Sequence, residues 1–183
     1  MTGFVLAAVV VIAGVYLISA YNGLVKLRNI VSEAFATMDV YLKKRWDLIP
    51  NLVEVVKGYA SHESGVLESV TSLRNVSYDQ LSSADKIDAN EKVSTGLSRL
   101  FAVAENYPDL KASRNFSDLN AELSKVEGEI AQSRKYYNAV VRNLNTKIEV
   151  FPSNLVAGMF GVRQAKMFEA QGEERANVKV ELT

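Results

Sequence analysis

His62 is the only histidine in the 183 residues, and Glu63 follows it directly. An imidazole beside a carboxylate is the raw material of a metal site or a general base. The zinc pattern of metalloproteases needs a second histidine four residues on, and Val66 stands there. A carboxylate-bridged di-iron bundle needs Glu-x-x-His on two helices, and Tyr59 stands where that glutamate would be. With one histidine and no cysteine, neither centre can be assembled within a protomer, and thiolate nucleophiles are excluded. Asp47 is the one side chain that could join His62 and Glu63 in a catalytic group, which keeps a regulatory or catalytic subunit of a membrane hydrolase as the alternative reading. No Gly-rich phosphate loop and no Ser-His-Asp constellation occurs. The expectation is therefore no catalytic residue, no metal, no cofactor and no small-molecule substrate. His62 reads instead as a partly buried side chain holding a hydrogen bond with a Tyr or Asn of the third helix.

The element that positions these residues is a long helix in heptad register. One seam takes Leu24, Val31, Met38, Arg45, Leu52, Tyr59, Val66 and Leu73; the other takes Leu27, Ala34, Tyr41, Leu48, Val55, His62, Ser69 and Val76. Spacing of three and four sustained this long predicts a helix, running to about Val76, packed against others. Arg45 is a charge on the seam, so a Glu or Asp from a facing helix is expected opposite it. Pro50 lies off both seams. It removes one backbone hydrogen bond, which predicts a kink or a restart with Asp47 as cap. Asp47 to Asn51 thus reads as a structural kink, or as a partner-binding corner with Trp46 covering the kink or anchoring another protein.

Composition bounds the rest. Hydrophobic residues make up 48% of the chain, ample for a core, and Lys plus Arg equals Asp plus Glu at 21 each. That balance gives no net field for nucleic acid, which is excluded as a partner. Met1 to Val25 carries no charged side chain, and Phe4 to Tyr21 is apolar almost throughout. Eighteen residues rise roughly 27 Å, enough to cross a hydrocarbon core, with Tyr21 at the interface. A cleaved signal peptide would need a basic leader, which is absent, and small residues before the cut, where Ile18-Ser19-Ala20 is a poor match. Lys26 and Arg28 follow the span and no cation precedes it, so the positive-inside rule puts the N-terminus outside and the bulk in the cytoplasm.

Further along, Ser82 or Ser83 is expected to cap a second helix with Ile87, Val93, Leu97, Leu100 and Phe101 on its apolar face, ending where Tyr107-Pro108 breaks it. Asn115 with Asp118 is expected to cap a third, from Phe116 to Ile148. Its Arg134, Tyr137 and Asn138 read as polar and aromatic packing between helices. Phe151-Pro152-Ser153-Asn154 should end it and cap a fourth segment reaching about Ala170. Val178 to Leu182 alternates like a strand but nothing else in the chain could pair with it, which predicts a mobile tail, with pairing between chains as the alternative.

Taken together, Tyr21-Asn22 with Leu24, Leu42-x-Lys44-Arg45-x-Asp47-Leu48-Ile49-Pro50-Asn51-Leu52-Val53, Tyr59-Ala60-x-His62-Glu63, Leu110-Lys111-Ala112-Ser113, Arg134-x-Tyr136-Tyr137-Asn138 and Phe151-Pro152-Ser153-Asn154 resemble the LemA family of bacterial membrane proteins over nearly the whole length. Lys44 departs mildly from the Arg usual in that family. The resemblance implies a single-pass N-terminal anchor, an outside N-terminus and a cytosolic bundle of four long helices, and no established enzyme activity or cofactor. A related member belongs to bacterial organelle membranes, so membrane organisation enters by analogy. The expected fold is all-α: an anchor over 1–22 continuing into an elongated antiparallel four-helix bundle over 23–171, with a flexible tail over 172–183. The expected role is a scaffold or adaptor in the bacterial cytoplasmic membrane, binding other proteins or further copies of itself.

Overall fold

The computed structural model describes residues 1–60, 65 and 77–168. Among these the regular structure is helical: α1 (Thr2–Tyr59), a 3₁₀ turn (Tyr78–Gln80), α2 (Ser83–Glu105), α3 (Pro108–Ala112), α4 (Arg114–Glu149) and α5 (Ser153–Met159). The chain divides into two compact units, Met1–Met38 with Gln132–Met167, and Asp39–Ala131 with Phe168–Thr183.

α1 continues through Pro50 without a break. Asp47 therefore caps nothing: it is a helical residue on the exposed side, accepting from Lys43 Nζ at 2.5 Å. The reason is packing. Ile49, Leu52 and Val56 are buried on both sides of the proline. Burial of each is worth about 2 kcal/mol, together more than the roughly 3 kcal/mol that an interior proline costs.

The first heptad seam is buried as expected from Leu24 through Val31, Met38 and Arg45 to Leu52. The second is displaced. Leu27, Tyr41, Leu48 and Val55 are only half-buried, and Phe35, Leu42, Ile49 and Val56, one position further round, take the core side. A strict two-stranded seam would bury the former set. A helix that meets more than one neighbour buries the wider stripe.

The heptad register predicts a helix as far as Val76, and everything past Tyr59 except Ala60 and Gly65 on that stretch lies outside the described residues. One fact nevertheless excludes a single straight helix to that point. Tyr78 Oη donates to Asp39 Oδ1 at 2.6 Å, whereas a helix continued to Val76 would leave the two about 58 Å apart. Heptad spacing reports that a stripe is buried and not against which neighbour, which is why the meeting of Tyr78 with Asp39 is not legible in it.

In the unit around Asp39–Ala131, α1 contacts α4 with numbers running in opposition: Lys44 pairs with Glu122 and Arg45 with Glu127, while Asn51 and Val55 share a groove with Asn115 and Leu119. Those segments are antiparallel. α2 runs parallel to α1, since Asp39 meets Lys86 and Arg45 meets Asn90 and Ser94. Leu52, Val56, Leu97, Leu100, Leu110 and Leu123 are at the centre of the core they enclose.

Ser82 caps α2 as expected, its Oγ accepting from the Asp85 N–H at 3.2 Å. α3 has no counterpart in the periodicity; Pro108 occupies its first turn, where its missing N–H is no loss. α4 starts at Arg114, so Asn115 is inside the helix rather than its cap. Phe151-Pro152-Ser153-Asn154 ends α4 as expected: Ser153 donates to the Lys147 and Val150 carbonyls, and Pro152, which has no side-chain cap to offer, precedes α5. α5 stops at Met159, well short of Ala170. Gly161 has φ of 63°, and Val162 N–H to Ala157 O and Gly161 N–H to Gly158 O complete a glycine-terminated helix end.

In the unit around Met1–Met38, Phe35 packs on Tyr137 with ring centroids 5.7 Å apart, and Tyr21 on Phe160 at 4.4 Å. Residues 162–167 lie back along α4: Asn145 exchanges two hydrogen bonds with Ala165, and Tyr137 Oη donates to the Lys166 carbonyl.

Candidate functional site: a buried arginine and its acceptors

Arg45 is 1% exposed. Its guanidinium donates to Glu127 Oε1 at 2.5 Å and Ser94 Oγ at 3.0 Å through one nitrogen, and to the Asn90 carbonyl at 2.9 Å and the Asn90 side-chain oxygen through another. The carboxylate expected opposite Arg45 is thus Glu127 of α4, and α2 supplies the remaining acceptors. A planar donor fork with acceptors on two other helices fixes the sliding of α1 against α2 and α4.

Beside it lies a second polar group. Asp39 accepts from Tyr78 Oη and from Lys86 Nζ, each at 2.6 Å, and the Lys86 ammonium is 4.7 Å from the centre of the Tyr78 ring. Burial, with the Asp39 hydrogen bond second, pushes the Tyr78 hydroxyl well above the usual tyrosine range. Trp46 packs on the same ring at 5.3 Å. This half-buried indole therefore belongs to the packing around Tyr78.

The other anticipated residues are dispersed. Asp47 and Asn51 are exposed on α1, Pro50 is half-buried within it, and Tyr59, its last residue, is 47% exposed. His62 and Glu63 lie outside the described residues. Arg134, Tyr137 and Asn138 belong to the other unit. There Tyr137 is buried, and burial raises its hydroxyl above the usual range.

Sequence reasoning alone misses Asp39, Tyr78, Lys86, Asn90 and Glu127. Asn90 carries a signal: it shares a seven-residue spacing with Leu97 and Ala104, a polar residue in an apolar row of α2. Tyr78 carries none, standing in a turn with no period. Chemically the two groups are hydrogen-bonded inward except at Asn90 Nδ2, which is buried without a partner among the described residues, and they present no nucleophile beside a base. Among the described residues no three His, Asp or Glu side chains converge to hold a metal ion.

Fold and core define a class: an all-α protein whose packed helices are registered by an internal arginine network, and whose first helix is long and apolar enough near the N-terminus to cross a membrane. The LemA family profile matches residues 34–182, and the chain belongs to the LemA family. It is 27% identical over 161 residues to Protein LemA of Metamycoplasma hominis, covering 86% of this chain and 72% of that one. It is also 24% identical to Magnetosome protein MamQ 2 of Paramagnetospirillum magneticum, covering 84% of this chain and 66% of the relative. Magnetosome protein MamQ of Magnetospirillum gryphiswaldense is 21% identical, with 83% and 65% covered. The chain thus spans slightly less than two thirds of the MamQ proteins.

Proposed function

We propose that this protein is a non-enzymatic scaffold or adaptor, held in the bacterial cytoplasmic membrane by its first helix, with the N-terminus outside and the helical bulk in the cytoplasm. The observation that carries the reading is the change of surface along one uninterrupted helix. Val11, Ile12 and Ile18 of α1 are 64 to 69% exposed, which suits lipid, while the same helix from Leu24 onward buries its apolar stripe against protein. Orientation follows from Lys26 and Arg28, both exposed just beyond the span, with no cation among Met1 to Val25. Docking of other proteins, or membrane organisation of the kind suggested by the word magnetosome in the relatives' names, fits a bundle whose polar core is used for its own registration.

The absence of cysteine makes the test clean. Thr2→Cys and Lys111→Cys variants are exposed in turn to a membrane-impermeant maleimide in intact spheroplasts. Labelling of Thr2→Cys at once, and of Lys111→Cys only after permeabilisation, is the expected result. The reverse pattern overturns the orientation, and recovery of the protein in an alkaline wash overturns the anchor. Crosslinking in intact cells then identifies what the bundle holds.

A further inference from the structure

Among the described residues beyond the span, eight large apolar side chains are exposed. Val40, Tyr59 and Tyr136 are scattered, but Val150, Phe151, Leu155, Met159 and Phe160 fall within eleven residues, with Phe151 77% and Met159 70% exposed. Residues 150–162 also form the longest run without a charged side chain after the span; no other such run exceeds six residues. α5 turns Val156 and Ala157 inward and leaves Leu155 and Met159, four residues apart on one side, uncovered.

The position of this patch says what covers it. The Phe160 ring is 4.4 Å from that of Tyr21, the residue that closes the apolar run. The bundle begins at that level: Ile18 is 65% exposed, whereas Ala20 and Leu24 are 7% and 0%. The patch is therefore continuous with the lipid-facing surface of α1. Lys26 and Arg28 on α1 and Lys147 and Arg163 around α5 outnumber the one acid beside the patch among the described residues, Glu149, which accepts from Gln164 Nε2; that balance suits an anionic headgroup layer.

We propose that residues 150–160 form a second membrane contact, with Phe151, Leu155, Met159 and Phe160 seated at the boundary of headgroups and acyl chains of the bilayer that the first helix crosses. Immersion of an amphipathic surface by about 5 to 10 Å is the usual depth of such contacts. The contact makes the base of the bundle a collar against the membrane, so that the protein is held at two points instead of swivelling on one helix. The inference rests on the reading of α1 as a span.

The test uses full-length protein reconstituted in phosphatidylcholine–phosphatidylglycerol vesicles. In a Trp46→Phe background, single tryptophans are introduced by Phe151→Trp, by Leu155→Trp, and by Ile12→Trp as the span reporter, and each is quenched with lipids brominated at shallow or deep acyl positions. All three replaced side chains are exposed, so a helical circular dichroism spectrum is expected to persist. Blue-shifted emission lost chiefly to the shallow bromines at 151 and 155, with position 12 lost to the deep ones, supports the collar. If position 12 is quenched while 151 and 155 emit as in water, the span stands and the collar falls. Blue-shifted emission at 151 and 155 without lipid quenching assigns the patch to protein and also overturns the proposal. No quenching at position 12 removes the span and the collar together.

Discussion

At the scale of a residue, Arg45 separates two uses of a buried charge. A guanidinium aimed into a cleft with a free donor would be a ligand site; here the guanidinium is turned onto Glu127, Ser94 and Asn90 of neighbouring helices. Arg45→Ala removes the charge and the stem together and strands acceptors of α2, and it is expected to lower stability by about 3 kcal/mol. Glu127→Gln keeps an oxygen in place at a side chain already 44% exposed, and is expected to cost less than about 1.5 kcal/mol. Thermal unfolding of the detergent-solubilised chain ranks the two; the opposite order would mean that the ion pair, not the whole acceptor set, holds the helices. Tyr78 gives a pH prediction of definite sign. Its hydroxyl is raised in the folded chain, so the neutral form is the one that folding favours. Stability should be intact below the unfolded tyrosine value of about 10 and decline as pH rises past it. Comparing the slope of stability between pH 9 and 11 with that of Tyr78→Phe checks this, the variant falling less steeply. Arg45 is legible in the sequence because a charge interrupts an apolar row. Which partners it takes is not, because acceptors on other helices leave no mark on that row, and the polar interruption at Asn90 in α2 does not say which charge it meets.

At the scale of an element, helix ends decide what can be read. Ser82 announces α2 because a hydroxyl before a periodic stretch satisfies an N–H that the helix cannot. Asn115 looks the same and is not a cap, since the five-residue α3 brings the chain into α4 a residue earlier. Pro50 suggests a kink or a restart, and tertiary burial carries the helix through it without a restart. Pro50→Ala should therefore raise stability, by about 1 to 3 kcal/mol, through the recovered backbone bond; a loss would show that the proline shapes the helix to its neighbours. Gly158 and Gly161 differ in kind. An added Cβ meets nothing within 4 Å at either, and only Gly161 has positive φ. Gly158→Ala should accordingly gain about 0.5 to 1 kcal/mol of helix stability, and Gly161→Ala lose about 1. Melting temperatures moving in the same direction for both would contradict the glycine-terminated end of α5.

At the scale of the molecule, the all-α class follows from period and composition, and the membrane-length first helix from eighteen consecutive residues without charge. The path of the chain does not follow, because heptads report that a stripe is buried and not against what. That Tyr78 meets Asp39 rests on their hydrogen bond and can be tested without disturbing it. Lys43 lies one helical turn after Asp39 in α1, and Asp79 adjoins Tyr78, whose hydroxyl donates to Asp39, so both flank that contact. A continuous helix to Val76 would put them about 54 Å apart. In this cysteine-free chain, a Lys43→Cys, Asp79→Cys pair treated with a short bis-maleimide should gain one linker within a single polypeptide, seen as an intact-mass increase without dimer formation. Mono-adducts at both positions, or crosslinking only between chains, would return the molecule to a single extended helix and remove the frame in which Arg45 meets α2 and α4.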